Sequence, residues 1–240
     1  MQTTPQDTAA YVIDQLRRTM SCIAANHHWY QHHWLGVPIW QLPDDLQTLQ
    51  EAVSELRPTL IIETGTKFGG SGVFFSSLLK LLELNNSRII TVDIKQTDEA
   101  VQNLTDSRWA PFIAKQLVGS STDEKIVAQI HQACKQHRTA NPGTCLLFLD
   151  DWHDGDHVYK ELELYAPLMQ CGDLLIVSDT IFADLAGSPV APHDSLVYSN
   201  PRTALHKFMA QQPRFQPEPT SNRGLSNFPD GLWRCVANSQ

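Results

Sequence analysis

No stretch of this 240-residue chain approaches the roughly 20 consecutive apolar residues of a membrane-spanning helix; Cys145 to Leu149 and Leu174 to Val177 are typical of its longest apolar runs. The N-terminus, MQTTPQDTAA, has neither the basic nor the apolar segment of a secretory leader, so a cytosolic location is expected. Charge is scarce too. Only 18% of residues are Asp, Glu, Lys or Arg, the net charge is −8, and the basic residues are scattered, which leaves no electrostatic footprint for nucleic acid. Cysteine lacks the arrangements that carry chemistry: Cys22, Cys134, Cys145, Cys171 and Cys235 are odd in number and widely spaced, with no C-x-x-C pair. They read as reduced structural thiols, which excludes a zinc or dithiol centre built from them. Also missing is the G-x-G-x-x-G turn of dinucleotide-binding folds. Internal repeats and low-complexity tracts are absent.

What remains is 42% hydrophobic and long enough to bury one substantial core. Within 8–25, Ala10, Val12, Ile13, Leu16 and Met20 stand at helical spacing. A run of His27, His28, Trp29, Tyr30, His32, His33 and Trp34 follows, which either walls a pocket or packs an interface. Pro43-Asp44-Asp45 then signals a helix start, and Leu46, Leu49, Val53 and Leu56 continue one apolar face up to Pro58. Residues 1–57 are therefore expected to form an N-terminal helical extension, and 58–240 the main domain.

In that domain the apolar runs 59–62, 89–92, 117–118, 145–149 and 174–177 read as strands, alternating with helices over 69–84, 123–136 and 157–169. Alternation of this kind predicts an α/β fold with a doubly wound, mostly parallel sheet and ligands at the carboxyl ends of its strands. Residues 183–200, rich in Pro, Ser, Ala and Asp, are expected to be a long loop or lid. A helix over 203–210 and the segment 232–236 would close the sheet.

The run Glu63-Thr64-Gly65-Thr66-Lys67-Phe68-Gly69-Gly70-Ser71 joins a strand to a helix, and its glycines let backbone come close to a ligand. A pyrophosphate would be repelled by Glu63, whereas the sulfonium and ammonium groups of S-adenosylmethionine suit an acidic turn. A glycine turn that serves only tight strand-to-helix packing is the alternative. Asp93, directly after a strand and one βαβ crossover later, is placed to accept hydrogen bonds from both ribose hydroxyls, or else to cap the next turn. Ser120, in the run Gly119-Ser120-Ser121, would lie beside the adenine. Asp150 and Asp179 both follow strands and so point to one crevice, where two carboxylates could hold Mg²⁺ and favour ionisation of a substrate hydroxyl. Asp151 and Asp154 could instead cap turns or helices. His153 could reach the same substrate oxygen as a general base, while His157 reads as structural.

These residues resemble a known family. Trp34-Leu35-Gly36-Val37-Pro38-Ile39-Trp40, Ile61 to Ser71, Leu149-Asp150-Asp151-Trp152-His153, His157-Val158 with Glu161-Leu162, Tyr165-Ala166-Pro167-Leu168 and Val177-Ser178-Asp179-Thr180 follow in order as in the cephalosporin hydroxylase and rhamnosyl O-methyltransferase family. The resemblance spans roughly 34–182 and, more loosely, 227–234. It implies a Rossmann-like class I methyltransferase, often a homo-oligomer, that moves a methyl group from S-adenosylmethionine to a hydroxyl of a polyketide, peptide or sugar, free or carrier-bound. From the turn and the strand ends, Glu63, Thr64, Gly65, Gly69, Ser71, Asp93, Ser120 and Asp150 are expected to contact the cofactor; the family carried over residue by residue adds the metal and the base. Asp150, Ser178 and Asp179 would take the metal, and His153 would be the base. Ser178 departs from the family pattern, which has Glu there; a neutral hydroxyl is the weaker ligand. The hydroxylase label implies a non-haem iron site with an H-x-D motif, and no such motif occurs in this sequence. A non-catalytic scaffold that binds adenosylmethionine is the remaining alternative.

Overall fold

The computed structural model describes residues 31–188, 191, 193–218 and 226–238, preceded by residues 11, 12, 14, 15, 18–20, 22 and 23. Those nine early residues are helical, as expected for 8–25, and Met20 among them is fully buried. His27, His28, Trp29 and Tyr30 lie outside the described residues.

Strands β1 (His33–Trp34) and β2 (Val37–Pro38) form a small antiparallel hairpin. Its turn residues Leu35 and Gly36 both have positive φ, as a two-residue hairpin turn of this hand requires. Helix α1 (Pro43–Leu56) follows, with Pro43 at its first position, where the missing N–H costs no hydrogen bond. The βα units then run in order: β3 (Leu60–Thr64), α2 (Gly70–Leu81), β4 (Arg88–Asp93), α3 (Asp98–Thr105), β5 (Ile113–Val118), α4 (Glu124–Ala140), β6 (Cys145–Leu149), α5 (Gly155–Tyr165) and β7 (Leu174–Val177). Short α6 (Phe182–Leu185), then α7 (Pro201–Met209), β8 (Phe215–Pro217) and β9 (Leu232–Cys235) complete the chain.

The seven-stranded sheet has the order β5-β4-β3-β6-β7-β9-β8. Strands β3 to β7 are parallel, and β9 runs antiparallel between β7 and β8. Side chains alternate between two cores. Leu60, Ile62, Ile90, Val92, Leu147, Leu149 and Val177 face α4, α5 and α7, while Ile61, Ile89, Leu146, Phe148, Leu174 and Ile176 face α1 and α2. Strands covered on both faces read as unbroken apolar runs, which is why β3, β4, β6 and β7 are legible in the sequence.

Four expectations change. Strand β3 extends to Thr64, so Glu63 and Thr64 sit inside the sheet and not in the turn after it. Strand β5 is six residues and not two; it lies at the sheet edge with Lys115 exposed and Gln116 half-buried, and these polar residues break the apolar pattern. Helix α3 and strand β8 are too short and polar to stand out. Among the described residues of 183–200, α6 and a 3₁₀ turn at Asp194–Val197 take the place of an open loop, and Leu185 and Ala191 pack with Ile181 against Met20 and Leu42.

One tie crosses the chain. Asp45, fully buried in the first turn of α1, accepts hydrogen bonds from Ser226 Oγ at 2.6 Å and Asn227 N at 2.9 Å. Burial pushes its carboxyl up to about 7, against the pull of those two donors. A carboxyl raised in the folded state stabilises the fold while protonated and loses that contribution as pH climbs toward 7. Asp45→Asn should therefore gain on the wild type between about pH 4 and 8, by at most about 1.4 kcal/mol per unit, in urea titrations at each pH. A difference that does not change with pH would refute the assignment.

Candidate active site

The sheet order doubles back between β3 and β6, and such a reversal opens a crevice at the carboxyl ends of the strands. The strand ends are kept level by hydrogen bonds that continue each ladder by one step: Gly119 N to Asp93 O at 2.9 Å, Gly65 N to Val92 O at 2.8 Å, Asp150 N to Thr64 O at 3.2 Å and Ser178 N to Leu149 O at 2.8 Å. Asp93, Gly65, Asp150 and Asp179 are thereby brought to one edge. A cavity of about 780 Å³ opens there, within the range of small-molecule sites.

The glycines of the turn make room for protein first. A Cβ on Gly65 would stand 2.0 Å from the Asp150 carbonyl oxygen, and one on Gly70 would stand 2.1 Å from that of Pro38. Both residues also line the cavity. Tight backbone packing, the alternative reading of the turn, is thus a sufficient reason for them.

On the β4 side, Asp93 accepts from Lys67 N at 2.7 Å with one carboxylate oxygen and from Lys95 N at 3.1 Å with the other. Each oxygen keeps lone-pair capacity toward the cavity. On the β7 side, Asp150 Oδ2 accepts from Gln41 Nε2 at 2.7 Å. Burial and the nearby charge of Asp179 hold the Asp150 carboxyl well above the usual carboxylate range, with the Ser178 hydroxyl and His153 pulling the other way. Asp179 has a left-handed φ of +58°, uncommon for a residue with a side chain and typical of functional sites. Its Oδ2 lies 2.8 Å from His153 Nδ1. Burial alone would lower the His153 pKa, but the Asp179 charge and hydrogen bond, with Asp150 and Asp151 beyond, raise it to about 9.

Comparison with known proteins now adds the family. Residues 26–234 match the family described as "Rhamnosyl O-methyltransferase/CmcI". The chain is similar to the rhamnosyl O-methyltransferase of Mycobacterium leprae, at 31% identity over 73% of this chain and 74% of that one. It is also similar to that of Mycobacterium tuberculosis H37Rv, at 29% identity over 77% and 73%. In fold it is similar to CmcI solved with Mg and SAM, with a TM-score of 0.57 over 87% of this chain and 78% of that chain, at 18% identity. The chain belongs to the rhamnosyl O-methyltransferase/CmcI family. It is an S-adenosylmethionine-dependent O-methyltransferase.

In this methyltransferase, Gly65, Ser71, Asp93, Ser120, Asp150, His153 and Asp179 all line the cavity. Glu63, Thr64, Gly69 and Ser178 are not among its lining residues. Glu63 is fully buried in β3 and accepts from Thr91 Oγ1 at 2.8 Å; Thr91 in turn bonds Thr66 Oγ1 at 2.5 Å, and Thr66 lines the cavity. Its support of the turn runs through two threonines. Gly69, with φ +81°, caps the start of α2, and Ser178 lies buried behind Asp150. His157, expected to be structural, lines the cavity and bonds Asp151. Asp154 caps α5, accepting from Asp156 N and His157 N. The aromatic run expected at a pocket wall or interface turns away from the cavity at its described end. Trp34 Nε1 donates to Ser77 Oγ at 2.9 Å and its ring packs edge-on against Phe74.

Sequence reasoning missed Gln41, Thr66, Trp40, Trp152 and Phe182, all of which line the cavity. Gln41 is 109 residues from its partner Asp150, and no local pattern announces such a contact. Thr91 was detectable in principle, because it is the direct cross-strand neighbour of Glu63 in the β3–β4 register.

The ion pair yields a direct measurement. In metal-free protein, His153 should titrate near 9 by NMR, and Asp179→Asn should bring it down toward the ordinary histidine value near 6.5. An unchanged titration in the variant would separate His153 from Asp179.

Proposed function

We propose that the acceptor is a hydroxyl of a small natural product, with a sugar moiety the favoured class, and that His153 removes its proton. The observation that carries this reading is the 2.8 Å contact between His153 Nδ1 and Asp179 Oδ2 at the cavity wall. It fixes the ring and leaves Nε2 for the acceptor, a geometry suited to a general base. The rhamnosyl acceptor named for the mycobacterial relatives supports the sugar class.

The cavity fits the methyl donor in size and in chemistry. Asp93 would take the ribose hydroxyls, Ser120 would lie near the adenine, and Gly65 and Ser71 would border the aminoacyl portion. Glu63 would act by bracing Thr66. Asp150 and Asp179, two carboxylates close enough for the Asp179 charge to raise the proton affinity of Asp150, fit a divalent cation such as Mg²⁺, with Ser178 a neutral neighbour. The sulfonium supplies the methyl group, and a bound Mg²⁺ lowers the pKa of an acceptor hydroxyl. Gln41 keeps the Asp150 carboxylate oriented toward the cavity, and Phe182 packs against the His153 ring at 5.0 Å between centroids. Trp40 and Trp152 wall the acceptor side, where closing out water favours in-line transfer. Residues 1–57 would act as a cap on a catalytic domain over 58–240, since Gln41 reaches into the site from the extension.

A second reading has its own support. His153 pairs with Asp179, so once the pH is high enough for its ring to be neutral, near 9, the two can work as an orienting carboxylate and base without a metal. Chelation decides between them. With a metal at Asp150 and Asp179, EDTA should suppress methyl transfer, Mg²⁺ should restore it, and Ser178→Glu should lower the Mg²⁺ concentration required. Mg²⁺ should also move the His153 NMR titration downward, because the cation replaces the proton in neutralising the carboxylates. Full turnover in EDTA would leave the His153–Asp179 pair alone.

Two substitutions test the remaining roles. Asp93→Ala should weaken adenosylmethionine binding by about 1–3 kcal/mol in calorimetry, and unchanged affinity would remove the ribose assignment. His153→Ala should cut turnover by roughly 10²-fold or more and leave cofactor affinity intact. Wild-type turnover in that variant would refute the base assignment.

A further inference from the structure

A second group of ligating side chains lies on the β5 side of the cavity, apart from Asp150 and Asp179. Asp151 enters from the loop after β6, while His157 and Glu161, four residues apart, share one face of α5. One ligand atom from each lies within 4.8 Å of the other two. His157 Nε2 is 3.2 Å and 3.1 Å from the two Asp151 oxygens and 3.9 Å from Glu161 Oε1. Ligands held tetrahedrally at about 2.0–2.1 Å from one ion stand roughly 3.3 Å apart, so a small closing of the Glu161 side completes the set. Ser121 Oγ, 3.2 Å from His157 Nε2 and 2.8 Å from Asp151 Oδ2, borders the fourth position.

Glu161 gives the group its meaning. It is fully buried, and neither oxygen has a hydrogen bond of good geometry; around it stand the Ser121 and Thr64 hydroxyls, Asp151, and His157 Nε2 at 3.9 Å from Oε1. Buried polar atoms are nearly always partnered, and an unpaired carboxylate is among the costliest to leave so. Two carboxyl groups converge on one imidazole nitrogen, and burial, with the charge of Asp151 beside it, holds the Glu161 carboxyl well above the usual carboxylate range; a cation between them would take the place of that proton.

We propose that Asp151, His157 and Glu161 hold a divalent cation of the borderline class, Zn²⁺ being the best match to one imidazole and two carboxylates. Mg²⁺ suits the group less well, because it prefers an all-oxygen shell with several waters retained. The ion would tie the loop after β6 to α5 and, through Ser121, to the loop after β5. Those loops carry Ser120 and Trp152 into the cavity, so this cation shapes the wall of the cofactor site without touching the acceptor.

Co²⁺ serves as the probe, since four-coordinate Co²⁺ absorbs visibly far more strongly than the six-coordinate ion. After chelator treatment and removal of the chelator, wild-type protein and Asp179→Asn should each hold one equivalent of strongly absorbing Co²⁺ that Zn²⁺ displaces, while any Co²⁺ that Asp150 and Asp179 take up in the wild type adds only weak absorption. Glu161→Gln should bind more weakly by more than the roughly 10- to 100-fold that losing an outer partner of a metal ligand costs. His157→Gln, changing a less buried position, should do the same if Glu161→Gln does not fold. Absence of saturable binding in the wild type would overturn the site, leaving the two carboxylates to share a proton. So would binding lost in Asp179→Asn and kept in the α5 variants. The readout does not depend on methyl transfer, so it stands or falls separately from the proposed activity.

Discussion

The carbonyl oxygen of Asp150 occupies the space where any side chain on residue 65 would have to be. This close approach of the β3 and β6 ends sets the width of the crevice at the point where the sheet order reverses. A Cβ there would push the two loops apart, and with them Asp150, His153 and the turn that borders the cofactor cavity. Gly65 also has a φ of +91°, which a side chain would resist on its own account. Everything functional in this protein hangs from a backbone contact that carries no chemistry itself.

Around that contact the site is built from an excess of negative charge. Asp93, Asp150, Asp151 and Asp179 all lie at carboxyl ends of parallel strands and all line the same cavity. Nearby positive charge is limited. Lys67 donates its backbone N–H to Asp93 but carries its ammonium over the Trp40 ring, 4.5 Å from the centroid, and His153 is drawn to Asp179. An acidic crevice of this kind favours cationic ligands and raises the proton affinity of whatever base stands in it. The same field that makes His153 hold its proton would be relieved by a bound cation, which links base strength to occupancy of the carboxylates.

The burial of polar groups beneath the site follows the same logic. Glu63 supports the glycine turn through Thr91 and Thr66, and Asp45 anchors the start of α1 to Ser226 and Asn227. Asn227 in turn accepts from Ile181 N, two residues past Asp179. The strained position of Asp179 is therefore held from the N-terminal helix and from the C-terminal segment at once. Strain at a functional residue persists when its surroundings over-determine it, and here two distant segments do so.

The doubly wound sheet was legible because β3, β4, β6 and β7 are covered on both faces and show as unbroken apolar runs. Asp93, Asp150 and Asp179 were legible because a parallel sheet sends the residues after its strands to one edge. Strand β5 was underestimated, since an edge strand has one open side and can carry Lys115 and Gln116. Glu63 was placed one structural step too late, because nothing local distinguishes the end of a buried strand from the first residue of its turn. Gln41 meeting Asp150, Asp45 meeting Asn227 and Glu161 converging on Asp151 had no sequence signal at all. The one-dimensional pattern determines which residues face inward and which end a strand, since those follow from a period of two and from local turn chemistry. Which of the inward polar groups meet each other depends on how layers far apart in the chain pack, and only the tertiary structure decides that.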